Sequence, residues 1–243
     1  VDSKGNEVDR IIGFLSPTEY LLRIENIAQK RNTLHDYLTR YEKGEVNADI
    51  IAAIAMKYED RKENDKAAEF YSILISEYPD PTSEFYKQGK YFLASYEFIN
   101  GNENSLKDYI TNNQDSQLKM SAYKKMVFHY ADTKQREKEM TTYKEMLSIF
   151  PDDSGVLNTY AWRMAEIEFN LEDALVKIRK AVDITSDDPN RQANIIDTEA
   201  EVLWKMNRFD DAIEAIGRAI LIEPENQYFR DQKEKFIESK KTA

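Results

Sequence analysis

The feature that most constrains this chain is that it repeats itself. The run Tyr71-Ser-Ile-Leu-Ile-Ser-Glu-Tyr-Pro79-Asp80 returns as Tyr143-Lys-Glu-Met-Leu-Ser-Ile-Phe-Pro151-Asp152, with every matched position 72 residues on. Tyr58 and Tyr130 keep the same offset of 72. That offset is two periods of about 36 residues, and the middle period, around Tyr96 and Tyr109, is degenerate. Downstream a second pair of units appears. Ala174/Ala212, Ile178/Ile216, Ala181/Ala219 and Ile184/Ile222 are each separated by 38 residues. A unit this short cannot bury its apolar stripe alone, so it folds only by stacking on its neighbours.

The units are helical. Apolar residues recur at intervals of three and four, which predicts about thirteen helices between residues 17 and 240. Ser16 and Glu19 form a capping-box pattern, with Pro17 at the first helical position. Pro81 and Pro224 stand at turns that open helices. Only 7 Gly and 6 Pro occur in 243 residues, too few for a turn-rich all-β chain. The second helices end on proline, which stops a helix and starts the turn. Ala174, Ala181, Ala212 and Ala219 allow two helices to approach closely, and Tyr71 and Tyr143 fill the groove of the next unit.

This pattern resembles the tetratricopeptide repeat, with five units over residues 46–243 and a terminal capping helix from Pro224 to Lys240. The match is fullest in Leu157-Asn-Thr-Tyr-Ala-Trp162 and in the run from Asp197 to Ala212. One departure is that Ala161 to Ala174 spans 13 residues whereas Ala200 to Ala212 spans 12, which places an extra residue near Phe169–Leu171. The resemblance implies an all-α solenoid of helix-turn-helix units whose first helices line a binding groove. An irregular helical bundle is the alternative.

The first residues differ. Gly5, Val8, Ile11, Ile12, Gly13 and Phe14 read as strand, turn, strand and glycine before a helix carrying Tyr20, Leu21, Leu22 and Ile24. This resembles the last hairpin and final helix of thioredoxin-like domains. The expected organisation is therefore a β-hairpin remnant and helix over 1–29, a linker helix over 30–45, and repeats over 46–243. The resemblance implies a thiol–disulfide parent whose CxxC would lie upstream of Val1, and the chain, which does not start with Met, is expected to be a piece of something longer. A plain hairpin leading into a helical array is the alternative reading.

Composition removes several functions. There is no cysteine, so this chain has no disulfide, Cys-ligated metal or CxxC centre of its own. The net charge is −11, which opposes binding to nucleic-acid phosphates. The mean hydropathy is −0.70, and no run approaches the length of a membrane span. The Asn-, Lys- and Asp-rich composition points to a bacterial source, in cytoplasm or periplasm.

No catalytic or metal-binding pattern is present. His35 and His129 lack partners at metal-ligand spacing, and a surface or packing role is expected for both. Glu137/Glu139 and Asp210/Asp211 read as solvated faces or helix starts. Met126, Met146 and Met164 fall at core spacing. No phosphate-binding glycine loop or nucleophile elbow occurs, and no cofactor is expected.

A binding surface is the better candidate. The helical faces, taken with the resemblance, place Lys90, Tyr91, Lys124, Lys125, Phe128, Asn158, Trp162, Asp197, Glu201 and Trp204 toward the groove. Lys90 and Lys124 fall where relatives that clamp a C-terminal carboxylate carry Lys. Ala94 and Phe128 stand where that clamp wants Asn, so that ligand is not expected. Trp162 and Trp204 serve either the groove or interhelical packing. The expected function is a scaffold for a protein or peptide partner. A free-standing structural or assembly protein and a helical carboxylate enzyme are the alternatives.

Overall fold

A computed structural model of the chain describes residues 4, 5 and 7–243. Thirteen helices run through the described residues: α1 (Pro17–Ala28), α2 (Leu34–Glu42), α3 (Ala48–Asp60), α4 (Asn64–Glu77), α5 (Glu84–Ile99), α6 (Asn104–Asn112), α7 (Ser116–Asp132), α8 (Arg136–Ile149), α9 (Ser154–Glu166), α10 (Leu171–Ile184), α11 (Pro189–Lys205), α12 (Phe209–Ile222) and α13 (Gln227–Thr242). They form two compact units, residues 1–133 and 134–243. No described helix is long and apolar enough to cross a membrane.

The capping box predicted from sequence forms. The Ser16 hydroxyl accepts from the Glu19 backbone N–H, and the Glu19 carboxylate accepts from the Ser16 backbone N–H at 2.9 Å. Asn47, Asp153 and Asp188 cap α3, α9 and α11 by accepting from backbone N–H groups three residues on. Each such cap satisfies a donor that the helix leaves open. Lys62, Lys134 and Asn207 adopt φ near +60° just after α3, α7 and α11, closing those helices in the left-handed conformation. The α9–α10 turn holds two left-handed residues, Glu168 and Asn170. The extra residue of that repeat lies there.

In the first unit, the core gathers Ile50, Ile51, Ile54, Tyr71 and Leu74 between α3 and α4, with Leu34, Tyr37 and Tyr41 of α2 packed against them. The segment expected as a linker helix is thus part of a core. Tyr71 is fully enclosed, its ring 4.8 Å from Phe92 of α5, and its hydroxyl donates to Glu59 at 2.7 Å. His129 packs edge-on against Phe98 at 4.9 Å, and His35 is exposed. In the second unit, Ala161, Ala174, Ala181, Ala200, Ala212 and Ala219 are all at 0% exposure. The close approach expected of α9–α12 rests on these small residues. Met126, Met146 and Met164 are likewise fully buried.

Two expectations are corrected. No described residue is in a strand, and residues 7–12 carry no regular structure. A strand exists by its ladder partner, and the chain here spends its polar groups on α3 and α1 instead. The Asp9 carboxylate accepts from Lys57 Nζ at 2.5 Å and from Arg23 at 2.9 Å, while Arg10 donates to the Asp60 carbonyl. Part of the expected hairpin, residues 1–3 and 6, lies outside the described residues. The second correction concerns Glu139, which is not a solvated acid. Its side chain is 1% exposed and is held by Arg163 at 2.5 Å and Arg136 at 3.1 Å. Helical spacing puts it on the α9-facing side of α8, where arginines compensate its burial.

Candidate functional site: a groove along helix α5

In the first unit a cavity of about 840 Å³ runs along α5 and α6. That is within the usual range for ligand pockets, ~300–1,000 Å³. Its apolar lining comes from Ile75, Pro81, Tyr86, Leu93 and Ala94. Its polar lining is rich in amides: Asn102, Asn112, Asn113 and Gln114. Lys87, Lys90, Glu97, Asp108 and Asp115 supply charges of both signs.

The cavity follows from the degeneracy of the middle repeat. Helix α6 has 9 residues, whereas α4, α8, α10 and α12 have 14 each. A shorter second helix covers less of α5 and leaves its face open. Gly89 lets α4 come close behind α5, because a Cβ there would meet the Tyr71 ring at 2.9 Å. Lys90 is exposed, sits 6.0 Å from the Tyr86 ring centroid, and has no ion-pair partner among the described residues. Asn and Gln amides both donate and accept, so this wall can pair with the N–H and C=O groups of an extended peptide.

Tyr109 closes the wall from α6. Its ring lies 5.8 Å from Tyr91, and its enclosed hydroxyl makes no hydrogen bond of standard geometry. Burial pushes that hydroxyl up to a pKa of about 12, so it stays protonated and available as a donor. The nearby Tyr91 hydroxyl donates to the Ser121 carbonyl at 3.3 Å, tying α5 to α7.

The predicted residues therefore separate. Lys90 lines the cavity, and Tyr91 backs it through Tyr109. Lys124 and Lys125 are half-buried on α7, and Phe128 is 54% exposed. In the second unit, Asn158 is half-buried and Trp162 is exposed on α9. Asp197, Glu201 and Trp204 face the terminal helix rather than an open groove. Trp204 packs on Phe236 at 6.0 Å with Lys235 Nζ over its ring at 4.2 Å, Lys235 pairs with Glu201 at 2.7 Å, and the Tyr228 hydroxyl donates to Asp197 at 3.3 Å. Trp204 is half-buried and takes part in interhelical packing. Burial and the neighbouring Glu201 push the Asp197 carboxyl up to a pKa of about 6 against the opposing effects of Tyr228 and Lys235.

Sequence reasoning missed the α6 side of the cavity, Ser105, Asp108 and Asn112, and the turn Asn113–Asp115. The available signal was the cluster Asn112-Asn113-Gln114 beside the degenerate repeat. No group of three or more potential metal-ligating side chains occurs among the described residues.

No protein-family model matches the chain, and no curated protein matches it by sequence. Solved structures do match. YrrB, described as a TPR protein with an unusual peptide-binding site, has a TM-score of 0.51 at 14% identity, over 82% of this chain and 97% of that one. A thermophilic TPR protein of Thermus thermophilus has a TM-score of 0.35 at 14% identity, over 90% and 94%. The TPR domain of P58(IPK) has a TM-score of 0.41 at 12% identity, over 90% of this chain and 62% of that one. The first of these likenesses establishes the architecture: the chain has the helical-hairpin fold of tetratricopeptide-repeat proteins.

Proposed function

We propose that this chain is a peptide-binding module and that the groove along α5 is its receptor site. The observation that carries the reading is the pairing of an apolar lining with an amide-rich wall in one cavity of about 840 Å³. An extended peptide needs both. Its side chains seek the apolar lining, and its backbone seeks groups that donate and accept. Lys90, unpaired at the rim, favours a ligand with an acidic side chain near that end. YrrB, with the same fold, is itself described as having a peptide-binding site. The thioredoxin-like parent implied by the resemblance at residues 1–29 has no strand pair among the described residues to support it, and the groove reading does not depend on it.

The test is selection of random displayed peptides on the immobilised chain, followed by calorimetry of the enriched sequence. The expected outcome is enrichment of a motif with apolar residues and a carboxylate, weakened about tenfold by Lys90→Glu, the effect of losing roughly 1.4 kcal/mol. Lack of any enriched motif, or a motif indifferent to both Lys90→Glu and Asn112→Ala, would remove the reading.

A further inference from the structure

One stripe of α5 carries a charge order along the cavity. Lys90, Leu93, Ala94 and Glu97 all line it. They stand at i, i+3, i+4 and i+7, which is one face of a helix. The stripe therefore runs cation, apolar pair, anion. Lys90 and Glu97 are both exposed, and neither has an ion-pair partner among the described residues. Two turns apart, about 10 Å along the axis, their backbones are too distant for the pairing that neighbours at i and i+4 make.

The charged heads are held apart as well. Lys90 Nζ lies 6.0 Å from the ring centroid of Tyr86, one turn toward the N-terminal end of α5. The Glu97 carboxylate accepts from the Asn102 side-chain amide at 3.1 Å, and Asn102 lies past the C-terminal end of α5. Both heads thus lean outward, and their separation exceeds the rise between the two residues.

The other charges of the cavity do not reverse this order. Lys87 pairs with Glu84 at 2.6 Å. The Asp115 carboxylate accepts from the Gln117 and Leu118 backbone N–H groups at the start of α7. Asp108 lines the cavity from α6, is exposed, and has no ion-pair partner among the described residues. It follows Ser105 by one turn, and the Ser105 hydroxyl donates to the Ala94 carbonyl at 2.8 Å. The unpaired charges are then one cation and two anions. A ligand with acidic groups alone would satisfy Lys90 and be repelled by Glu97 and Asp108.

We infer that the ligand of the α5 groove is a peptide of mixed charge: an acidic residue, an apolar residue two positions along and a basic residue four positions along, in either chain direction. The acid sits at Lys90, the apolar side chain on Leu93 and Ala94, and the base at Glu97 with Asp108 across from the stripe. Alternate residues of an extended chain point to one side, and four steps span about 13 Å, which the outward lean of the two heads accommodates. The inference rests on the peptide reading of this groove and supplies its charge pattern.

Random displayed peptides are selected in parallel on the wild-type chain, on Lys90→Glu, and on Glu97→Lys combined with Asp108→Lys. The substituted side chains are exposed, and circular dichroism confirms that each variant is folded. The wild-type chain is expected to enrich the mixed-charge motif, and the lysine double variant to enrich a motif whose base is replaced by an acid. In calorimetry the wild-type motif is expected to bind the double variant about tenfold more weakly. Exchanging its basic residue for glutamate is expected to weaken binding to the wild-type chain and restore it on the double variant. A motif without the basic residue, or affinity indifferent to Glu97→Lys with Asp108→Lys, would overturn this inference and leave the groove reading standing. Lack of any enriched motif, or a motif indifferent to both Lys90→Glu and Asn112→Ala, would remove both.

Discussion

Gly89 of α5 faces the ring of Tyr71 of α4 so closely that an added Cβ would lie 2.9 Å from Tyr71 Cδ1. The ring has nowhere to go. It is fully enclosed, packed at a tilt against Phe92, and pinned by its hydroxyl to Glu59. Gly89→Ala should therefore destabilise the protein by about 1–3 kcal/mol, overpacking outweighing the gain in helix propensity. Gly217 of α12 has nothing within 4 Å of the same built atom. Gly217→Ala should stabilise by about 0.5–1 kcal/mol. Urea denaturation of both variants checks the pair, and equal signs would contradict it.

Removing the Glu139 carboxylate should be costly. Its side chain is 1% exposed and compensates Arg163, itself largely covered. Glu139→Ala leaves that cation partly buried and unpaired, and should cost about 3 kcal/mol. Glu139→Leu combined with Arg163→Leu should cost much less than the single change. A double-mutant cycle in chemical denaturation measures the difference.

Asp9 ties the N-terminal segment to α3. Asp9→Ala strands Lys57, whose side chain is 8% exposed, and should destabilise the first unit by about 3 kcal/mol. Glu7→Ala removes pairs whose carboxylate is exposed and should cost less than about 1 kcal/mol. Thermal melts rank the two.

Asp197 gives the second unit a pH dependence with a defined sign. Its folded pKa is raised to about 6 from 3.8, chiefly by burial. The folded state thus holds the proton more tightly than the unfolded chain. Its contribution is fully present below pH 3.8 and is lost as pH rises to about 6, where the buried carboxylate must ionise. Asp197→Asn keeps an acceptor for Tyr228 and removes the titration. The variant should melt higher than the wild type at pH 8, by an amount corresponding to about 1–3 kcal/mol, with the gap closing toward pH 4. Calorimetry across that range tests it.

The fold was legible because repetition, capping and period all point the same way. Ser16 marks a helix start by side-chain chemistry that acts within one turn, and the alanines at 174, 181, 212 and 219 mark contacts that only small residues permit. The site was less legible for a physical reason. Asp197, Glu201 and Trp204 sit on the helical face expected of a groove, but α13 covers that face through Tyr228, Lys235 and Phe236. Helical periodicity tells which residues share a face and not whether another helix lies on it. The α5 cavity arises from a missing length of α6, and an absence of covering leaves little trace in the residues it exposes. Residues 7–12 failed as a strand because their fate depends on Lys57, Asp60 and Arg61, some fifty positions away.

The measurement that bears most directly on the central claim is amide hydrogen exchange of the full chain with and without the selected peptide. The account predicts slowed exchange in α5, α6 and the turn 113–115, with α9 and α11 unchanged. Protection confined to α9 and α11, with α5 and α6 unaffected, would contradict it.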